Sequence, residues 1–298
     1  GGNLAATTDA NNGLINLGTL AVDGTVQLTT NGSGNATVVN DAGLNFAAST
    51  VGGALSATAT TGNMTTATGV MTITGTTTLV TSADDAAINL YGNYTGALTI
   101  TTNGRRVTRS VVIVSPSALV IAESNISGEA TFNSRTSISD SGTVTVGGKL
   151  SALTTANNGD INLDTLAVDG TIGVQTHGTG AATVVNDNGL TFLGATVGGA
   201  LSATATTGNI ADDNSTGGAL AITGTTTLVT SANDATINLD TSTNAFTDTV
   251  TITTNDDSGN NAAATIDGGT TALILAASTI DGDLTLISGN ASGITDSG

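Results

Sequence analysis

The chain has 298 residues, of which 2% are aromatic, 9% are charged and 38% are hydrophobic, and its formal net charge is −18. So few aromatic side chains could hardly fill a broad globular core, whereas the hydrophobic fraction is too high for a disordered chain. The acidic excess argues against binding to nucleic acid or anionic lipid, and the absence of cysteine excludes disulfides and thiolate metal sites. No apolar run approaches the ~20 residues of a membrane helix, so we expect no membrane span.

The predicted elements along the chain are short strands. Val, Ile and Thr are abundant while helix-favouring Glu, Lys, Arg and Gln are scarce, so almost no helix is expected. One motif recurs: a β-branched residue, any residue, a glycine, any residue, and then alternating apolar or small positions. It starts at Val22, Val51, Ile73, Ile126, Val146, Val168, Val197, Ile222 and Ile280, and Ile100 and Ile252 occupy equivalent places without the glycine. Ten steps separate Val22 from Ile280, which gives a mean repeat of about 26 residues.

Period-two alternation within each repeat predicts a strand with one buried face, and Asn-Gly, Asp-Gly and Ser-Gly pairs supply the turns between strands. A repeat of this length is typical of a solenoid in which one repeat forms one coil. The predicted fold is therefore all-β, a right-handed parallel β-helix (β-solenoid) of about 12 coils of roughly 20–30 residues, with the handedness taken from the general rule for parallel crossovers. Stacked at ~4.8 Å, these coils would form a rod on the order of 55–60 Å long.

The chain also contains a long internal duplication. Residues 10–24 recur at 156–170, residues 37–41 recur at 183–187, and residues 51–57 recur at 197–203. These segments share one offset, which increases towards the C-terminus through insertions in polar segments. We therefore predict two β-solenoid modules, residues 1–146 and residues 147–298, the second continuous with the first.

Strand-turn units such as Thr143-Val144-Thr145-Val146-Gly147-Gly148-Lys149-Leu150 and Gly96-Ala97-Leu98-Thr99-Ile100-Thr101-Thr102-Asn103 carry a family resemblance. In them, and in its cysteine-free, Thr/Gly/Asn-rich style, the whole chain resembles the haemagglutination-repeat region of filamentous haemagglutinin and related large bacterial exoproteins and autotransporter adhesins. The resemblance implies a β-helical shaft at the bacterial cell surface that projects binding domains. It also implies further copies of the repeat in a longer chain, and contact with host-cell or surface glycans through regions outside this sequence. A start at Gly1 without Met fits an excised piece of such a chain.

Aspartate pairs are the candidate metal ligands, because carboxylate oxygens suit calcium. They are Asp84, Asp85, Asp212, Asp213, Asp256 and Asp257. Solvated turns are the simpler interpretation of these pairs, since the glycine-rich nonapeptide of stacked calcium sites does not occur. We therefore expect no cofactor, with calcium as the alternative.

Arg105, Arg106 and Arg109 form the only basic cluster, and the simpler interpretation is again a solvated loop. The sharper hypothesis is a contact loop that meets an acidic surface on a neighbouring copy and builds a homo-oligomer or filament. The single histidine, His177, is predicted to lie in a solvated turn.

The functional prediction is a non-catalytic structural shaft of a secreted, extracellular bacterial surface protein. A self-assembling S-layer, sheath or surface-filament subunit is the alternative, and a polysaccharide-acting β-helix enzyme comes third. Enzymes of that kind need clustered acids with Arg or Lys in a groove, whereas this chain has one lysine, no tryptophan and two glutamates. We therefore expect no catalytic residues.

Overall fold

The computed structural model describes residues 1–104, 110–213, 217–255 and 261–298. These residues form strands, turns and bends without a helix, so none of them lies in a helix that could cross a membrane. The strands are parallel and stack in coils, about 13 turns in all, which confirms the predicted all-β solenoid. The chain divides into two compact units, Gly1–Gly148 (unit 1) and Lys149–Gly298 (unit 2).

Short strands make up unit 1, and polar or glycine-containing turns separate most of them. In chain order they are β1 (Leu4–Asn11), β2 (Ile15–Leu20), β3 (Thr25–Asn31), β4 (Ala36–Asn40), β5 (Leu44–Ala47), β6 (Thr50–Val51), β7 (Leu55–Ala59), β8 (Met64–Thr68), β9 (Met71–Ile73), β10 (Thr77–Asp84), β11 (Ile88–Tyr94), β12 (Leu98–Asn103), β13 (Ser110–Ser115), β14 (Leu119–Ile121), β15 (Ser124–Ile126), β16 (Glu129–Ser134), β17 (Ile138–Asp140) and β18 (Val144–Val146).

Unit 2 is built in the same way. Its strands are β19 (Leu150–Asn157), β20 (Ile161–Val168), β21 (Thr171–His177), β22 (Ala182–Asn186), β23 (Leu190–Val197), β24 (Leu201–Ala205), β25 (Ile210–Asp212), β26 (Leu220–Ile222), β27 (Thr226–Asn233), β28 (Ile237–Leu239), β29 (Ala245–Phe246), β30 (Val250–Asn255), β31 (Ala264–Asp267), β32 (Leu273–Leu275), β33 (Leu284–Ile287) and β34 (Ile294–Asp296).

Within each unit the chain alternates between two parallel sheets. In unit 1 the first sheet holds β1, β3, β5, β6, β8, β9, β11, β13 and β16, and the second holds β2, β4, β7, β10, β12, β14, β15, β17 and β18. In unit 2 the first sheet holds β19, β21, β23, β25, β26, β28, β29, β31 and β33, and the second holds β20, β22, β24, β27, β30, β32 and β34. Strands inside a unit thus pair with the coils before and after them, which satisfies the backbone amides of a chain rich in turns.

Coil length follows from the register of paired residues, and it varies along the chain. Ala36 pairs with Leu55, whereas Ile210 pairs with Ile237, so the second of these steps is clearly the longer. The sequence motif overestimates the mean step because it marks two different corners of the coil. The motif at Val22 leads into β3 of the first sheet, whereas the motif at Val51 leads into β7 of the second sheet.

The interior of each unit is narrow and apolar. Inward positions alternate with outward ones along the strands, as in β4 and β13, and carry mainly Val, Ile, Leu and Ala. All four phenylalanines of the chain are fully buried. Aliphatic side chains fit the space between two closely spaced sheets better than many aromatic rings would, which explains a composition with so few aromatic residues.

Two buried asparagines hold equivalent corners of the two units. Asn40 is fully buried; its Oδ1 accepts a hydrogen bond from the Val22 amide (2.9 Å), and its Nδ2 donates to the carbonyl oxygens of Val22 (2.9 Å) and Gly43 (2.7 Å). Asn186 repeats these three bonds with Val168 and Gly189 in unit 2. A side chain therefore satisfies the backbone in place of a neighbouring strand where the chain turns between sheets.

Candidate functional site

The predicted calcium ligands Asp84 and Asp85 lie at a corner of unit 1. Asp84 is exposed at the end of β10, and Asp85 follows it in the left-handed region with φ of 62°. The Asp85 amide donates to the Asn103 carbonyl of the next coil (3.2 Å). Asp85 is the turn residue at this corner, because Asp adopts positive φ more readily than most residues.

Asp212 lies in a different environment from the one expected for a solvated turn. It ends β25 and is only 5% exposed, while Asp213 beside it is half-buried. One carboxylate oxygen of Asp212 accepts hydrogen bonds from Asn244 Nδ2 (2.9 Å) and from the Thr241 amide (3.1 Å). The interpretation of Asp212 as a solvated turn residue is therefore wrong. Its buried carboxylate accepts hydrogen bonds that link one coil to the next.

The other predicted site residues lie outside the described residues. They are Asp256 and Asp257 of the calcium candidates and Arg105, Arg106 and Arg109 of the contact loop. Among the residues that are described, no three His, Cys, Asp or Glu side chains gather in a group that could hold a metal ion. The calcium and contact-loop hypotheses stay predictions.

His177 is exposed, as predicted, but it is the last residue of β21 and the turn follows it. Its carbonyl oxygen accepts a hydrogen bond from the Asn158 amide (2.8 Å), as the carbonyl oxygen of Asn31 does from Asn12 (2.9 Å). The backbone role of the position is thus independent of its side chain.

A polar groove is present on the outer face of unit 1. It has a volume of about 580 Å³ and lies across β12, β15 and β18 of the second sheet. Its lining consists of Thr99, Thr101, Glu123, Ser124, Asn125, Thr143 and Thr145. Sequence reasoning missed the groove, because these residues come from three coils.

A bend between β14 and β15 shapes the groove. The Ser124 hydroxyl, which is buried, accepts a hydrogen bond from the Ile100 amide (3.0 Å) and donates to the Ala122 carbonyl oxygen (2.8 Å). It thereby replaces one rung of the ladder and turns Glu123 outward, where it is exposed. Ser49 and Ser278 make the same pair of bonds at bends elsewhere, so this bend is a recurrent device of the solenoid.

An apolar strip lies on the outer face of the first sheet of unit 1. Tyr91 points outward and is 41% exposed, and it pairs with Val114, which is half-buried like Val112. Both faces of β13 are therefore apolar, whereas at the corresponding places of β31 in unit 2 stand Thr265 and Asp267. This strip distinguishes the two units.

A family model of repeats of unknown function, DUF5649, matches residues 33–101, 108–176 and 179–253, which is most of the chain. The chain belongs to this repeat family. No curated protein and no solved structure matches it. The match supports a β-helix repeat protein and does not single out the filamentous haemagglutinin group.

The DUF5649 matches are shorter than the modules of the internal duplication: two of them begin in the first module, at residues 33 and 108, and one begins in the second, at residue 179. The structure explains this shorter repeat. Among the described residues, the non-glycine residues with positive φ are Asn12, Asp85, Asn158 and Asp234, and they follow one another at nearly even intervals, like the matches. In unit 1, Asn12 follows β1 of the first sheet, whereas Asp85 follows β10 of the second sheet. From one DUF5649 repeat to the next, the turn therefore moves from the end of a first-sheet strand to the end of a second-sheet strand.

A sequence pattern also marks the DUF5649 repeat, but the longer internal duplication is more conspicuous. The tripeptide Ile-Asn-Leu occurs at residues 15–17, 88–90, 161–163 and 237–239, each time shortly after a positive-φ turn residue. Its four copies alternate between β2, β11, β20 and β28, and hence between the two sheets.

Proposed function

We propose that the chain is a non-catalytic structural shaft segment of a secreted bacterial cell-surface protein of the adhesin type. The observation that carries the proposal is the stacking of similar coils in parallel register within each unit. In such a stack each coil contacts only its neighbours, so length is gained by adding repeats without altering contacts already made. A shaft needs this property, since its task is to extend.

The core of each unit supports the same proposal. Paired strands protect the backbone, and the buried positions are filled by close-fitting aliphatic side chains. Such a structure offers few sites for local opening, and proteolysis needs local opening. A net charge of −18 keeps copies of the chain apart in solution. The resemblance to exoprotein adhesins supports an extracellular location.

Electron microscopy of the purified chain, with and without calcium and with varied salt, tests the proposal. Isolated thin rods that resist added protease are expected. Globular particles, or rapid cleavage throughout the chain, would contradict a structural shaft. Surface labelling of intact source cells tests the location, and labelling only after lysis would contradict it.

Self-assembly into an S-layer, sheath or surface filament is a second candidate, favoured by the apolar strip of Tyr91, Val112 and Val114. Outward apolar side chains on a flat sheet face favour packing against a second sheet. The variant Val112→Thr copies the residue that unit 2 carries at that position, Thr265. If lateral assembly is the function, ordered sheets or bundles should form with the original chain and disappear with Val112→Thr.

A further inference from the structure

The polar groove of unit 1 contains side chains that the fold itself does not use. Thr101 pairs with Asn125, and Asn125 pairs with Thr145, so these three side chains form a row across three coils. Thr99, Glu123 and Thr143 flank this row on one side. Each of the six points to the outer face of the sheet, and none is buried.

No hydrogen bond joins any of these six side chains to another described residue. Threonines elsewhere behave differently: the hydroxyls of Thr30, Thr154 and Thr176 each donate to a backbone carbonyl oxygen within 2.8 Å. The hydroxyl, amide and carboxylate groups of the groove are therefore available to a ligand, and Ser124 beneath them fixes the bend on which they stand.

The chemistry of these groups indicates the class of ligand. Threonine hydroxyls and the Asn125 amide both donate and accept hydrogen bonds, and the Glu123 carboxylate accepts them, while threonine methyl groups offer apolar contacts. Successive coils place these groups ~4.8 Å apart, which is close to the length of one sugar unit in an extended chain. The net charge of −18, and Glu123 in the groove itself, disfavour an anionic ligand. A polyhydroxyl chain without charge fits each of these features.

We propose that this groove binds an uncharged polysaccharide, whose chain runs along the stacking direction across β12, β15 and β18. Asn125 and Glu123 hydrogen-bond the sugar hydroxyls at the centre of the site, and the threonines contact the rings on either side. The site goes beyond the shaft function and does not depend on it, since a shaft without this site still extends.

Unit 2 provides an internal comparison. Its residues Thr251 and Thr253 correspond to Thr99 and Thr101, but Ala277 takes the place of Glu123 and Thr279 takes the place of Asn125. The carboxylate and the amide at the centre of the groove therefore belong to unit 1 alone. Binding should accordingly be confined to unit 1.

Nuclear magnetic resonance titration of the isotopically labelled full chain tests the site, because it detects weak binding and locates it. The probes are uncharged oligosaccharides of β-1,4-glucose, β-1,3-glucose, α-1,4-glucose and β-1,4-N-acetylglucosamine, each added to about 10 mM. At least one should shift the amide signals of β12, β15 and β18 with a dissociation constant of about 0.1–1 mM. No shift with any probe, or shifts centred on other strands, would overturn the proposal.

Variants at the centre of the groove separate specific binding from surface adsorption. Asn125→Ala and Glu123→Ala each remove hydrogen-bonding groups that no other described residue uses, so the fold should persist and the affinity should fall about tenfold. Thr279→Ala, the matched change in unit 2, should leave the affinity unchanged. Equal affinity of the original chain and Asn125→Ala would contradict the proposal, as would tighter binding of the acidic polysaccharide hyaluronan than of any uncharged probe. None of these results bears on the shaft, which electron microscopy tests separately.

Discussion

Replacing Tyr94 with phenylalanine should make unit 1 more stable. The ring of Tyr94 is 1% exposed, and its hydroxyl is buried without a hydrogen-bond partner among the described residues. The hydroxyl occupies space left by Gly92, where a Cβ atom would lie 2.8 Å from the hydroxyl oxygen. Burying a hydroxyl without a partner costs about 1–3 kcal/mol, so Tyr94→Phe should raise the free energy of unfolding by a similar amount.

Local hydrogen exchange is the first assay, because solenoids can open in parts and exchange locates the change in the coil that carries it. The Thr95 amide donates to the Ile73 carbonyl oxygen (3.1 Å), and Tyr94 pairs with Ile73 across β9 and β11. Amides in this pairing should exchange about tenfold more slowly, or slower still, in Tyr94→Phe. Unchanged or faster exchange would refute the reasoning.

The reverse change in unit 2 is the matched control. Phe246 occupies the place of Tyr94, but Asn244 stands where unit 1 has Gly92, and its amide is held by Asp212. Because Asn244 carries a side chain where Gly92 has none, Phe246→Tyr should destabilise its coil. A stabilising effect of Phe246→Tyr would show that the space beside Gly92 is not the reason for the tolerance of Tyr94.

Alkaline pH should destabilise the folded chain, because the Tyr94 hydroxyl is buried. Desolvation by burial raises the pKa of the Tyr94 hydroxyl far above its usual value. The unfolded chain then loses this proton at pH ~10 while the folded chain keeps it, so stability falls as pH rises above ~10, by up to about 1.4 kcal/mol per pH unit. Urea unfolding across this range, followed by circular dichroism, should show a smaller loss for Tyr94→Phe than for the original chain. Equal losses of stability in the two proteins would contradict the assignment of the effect to the buried Tyr94 hydroxyl.

Two further changes probe the corners of the coils. Asn40→Ala removes three hydrogen bonds and should lower the free energy of unfolding by about 3 kcal/mol. Asn186→Ala should destabilise unit 2 by a similar amount. A loss of less than about 0.5 kcal/mol in urea unfolding would be inconsistent with these bonds. Gly52→Ala would drive a Cβ atom into the carbonyl oxygen of Gly32 on the preceding coil and should cost about 1–3 kcal/mol, whereas Gly18→Ala, where nothing lies near the added Cβ, should be neutral in the same measurement.

Local patterns made the fold predictable from sequence. Alternation within β4 or β13 determines which side chains face inward, and positive-φ residues such as Asn12 and Asn158 end strands, because both properties depend on neighbouring residues alone. The predicted coil was nevertheless too long on average, because the motifs at Val22 and Val51 look alike although they turn into different sheets.

The polar groove of unit 1 could not be predicted from the sequence. The row formed by Thr101, Asn125 and Thr145 requires the register of three coils, and the steps between coils vary in length along the chain. The burial of Asp212 likewise depends on Asn244, which lies 32 residues further along the chain. Short-range propensity determines that strands form and which face they bury, whereas the length of each intervening turn determines which residues of successive coils meet. Sequence alone therefore determined a solenoid of duplicated modules, and only the tertiary structure decided which side chains its outer faces bring together.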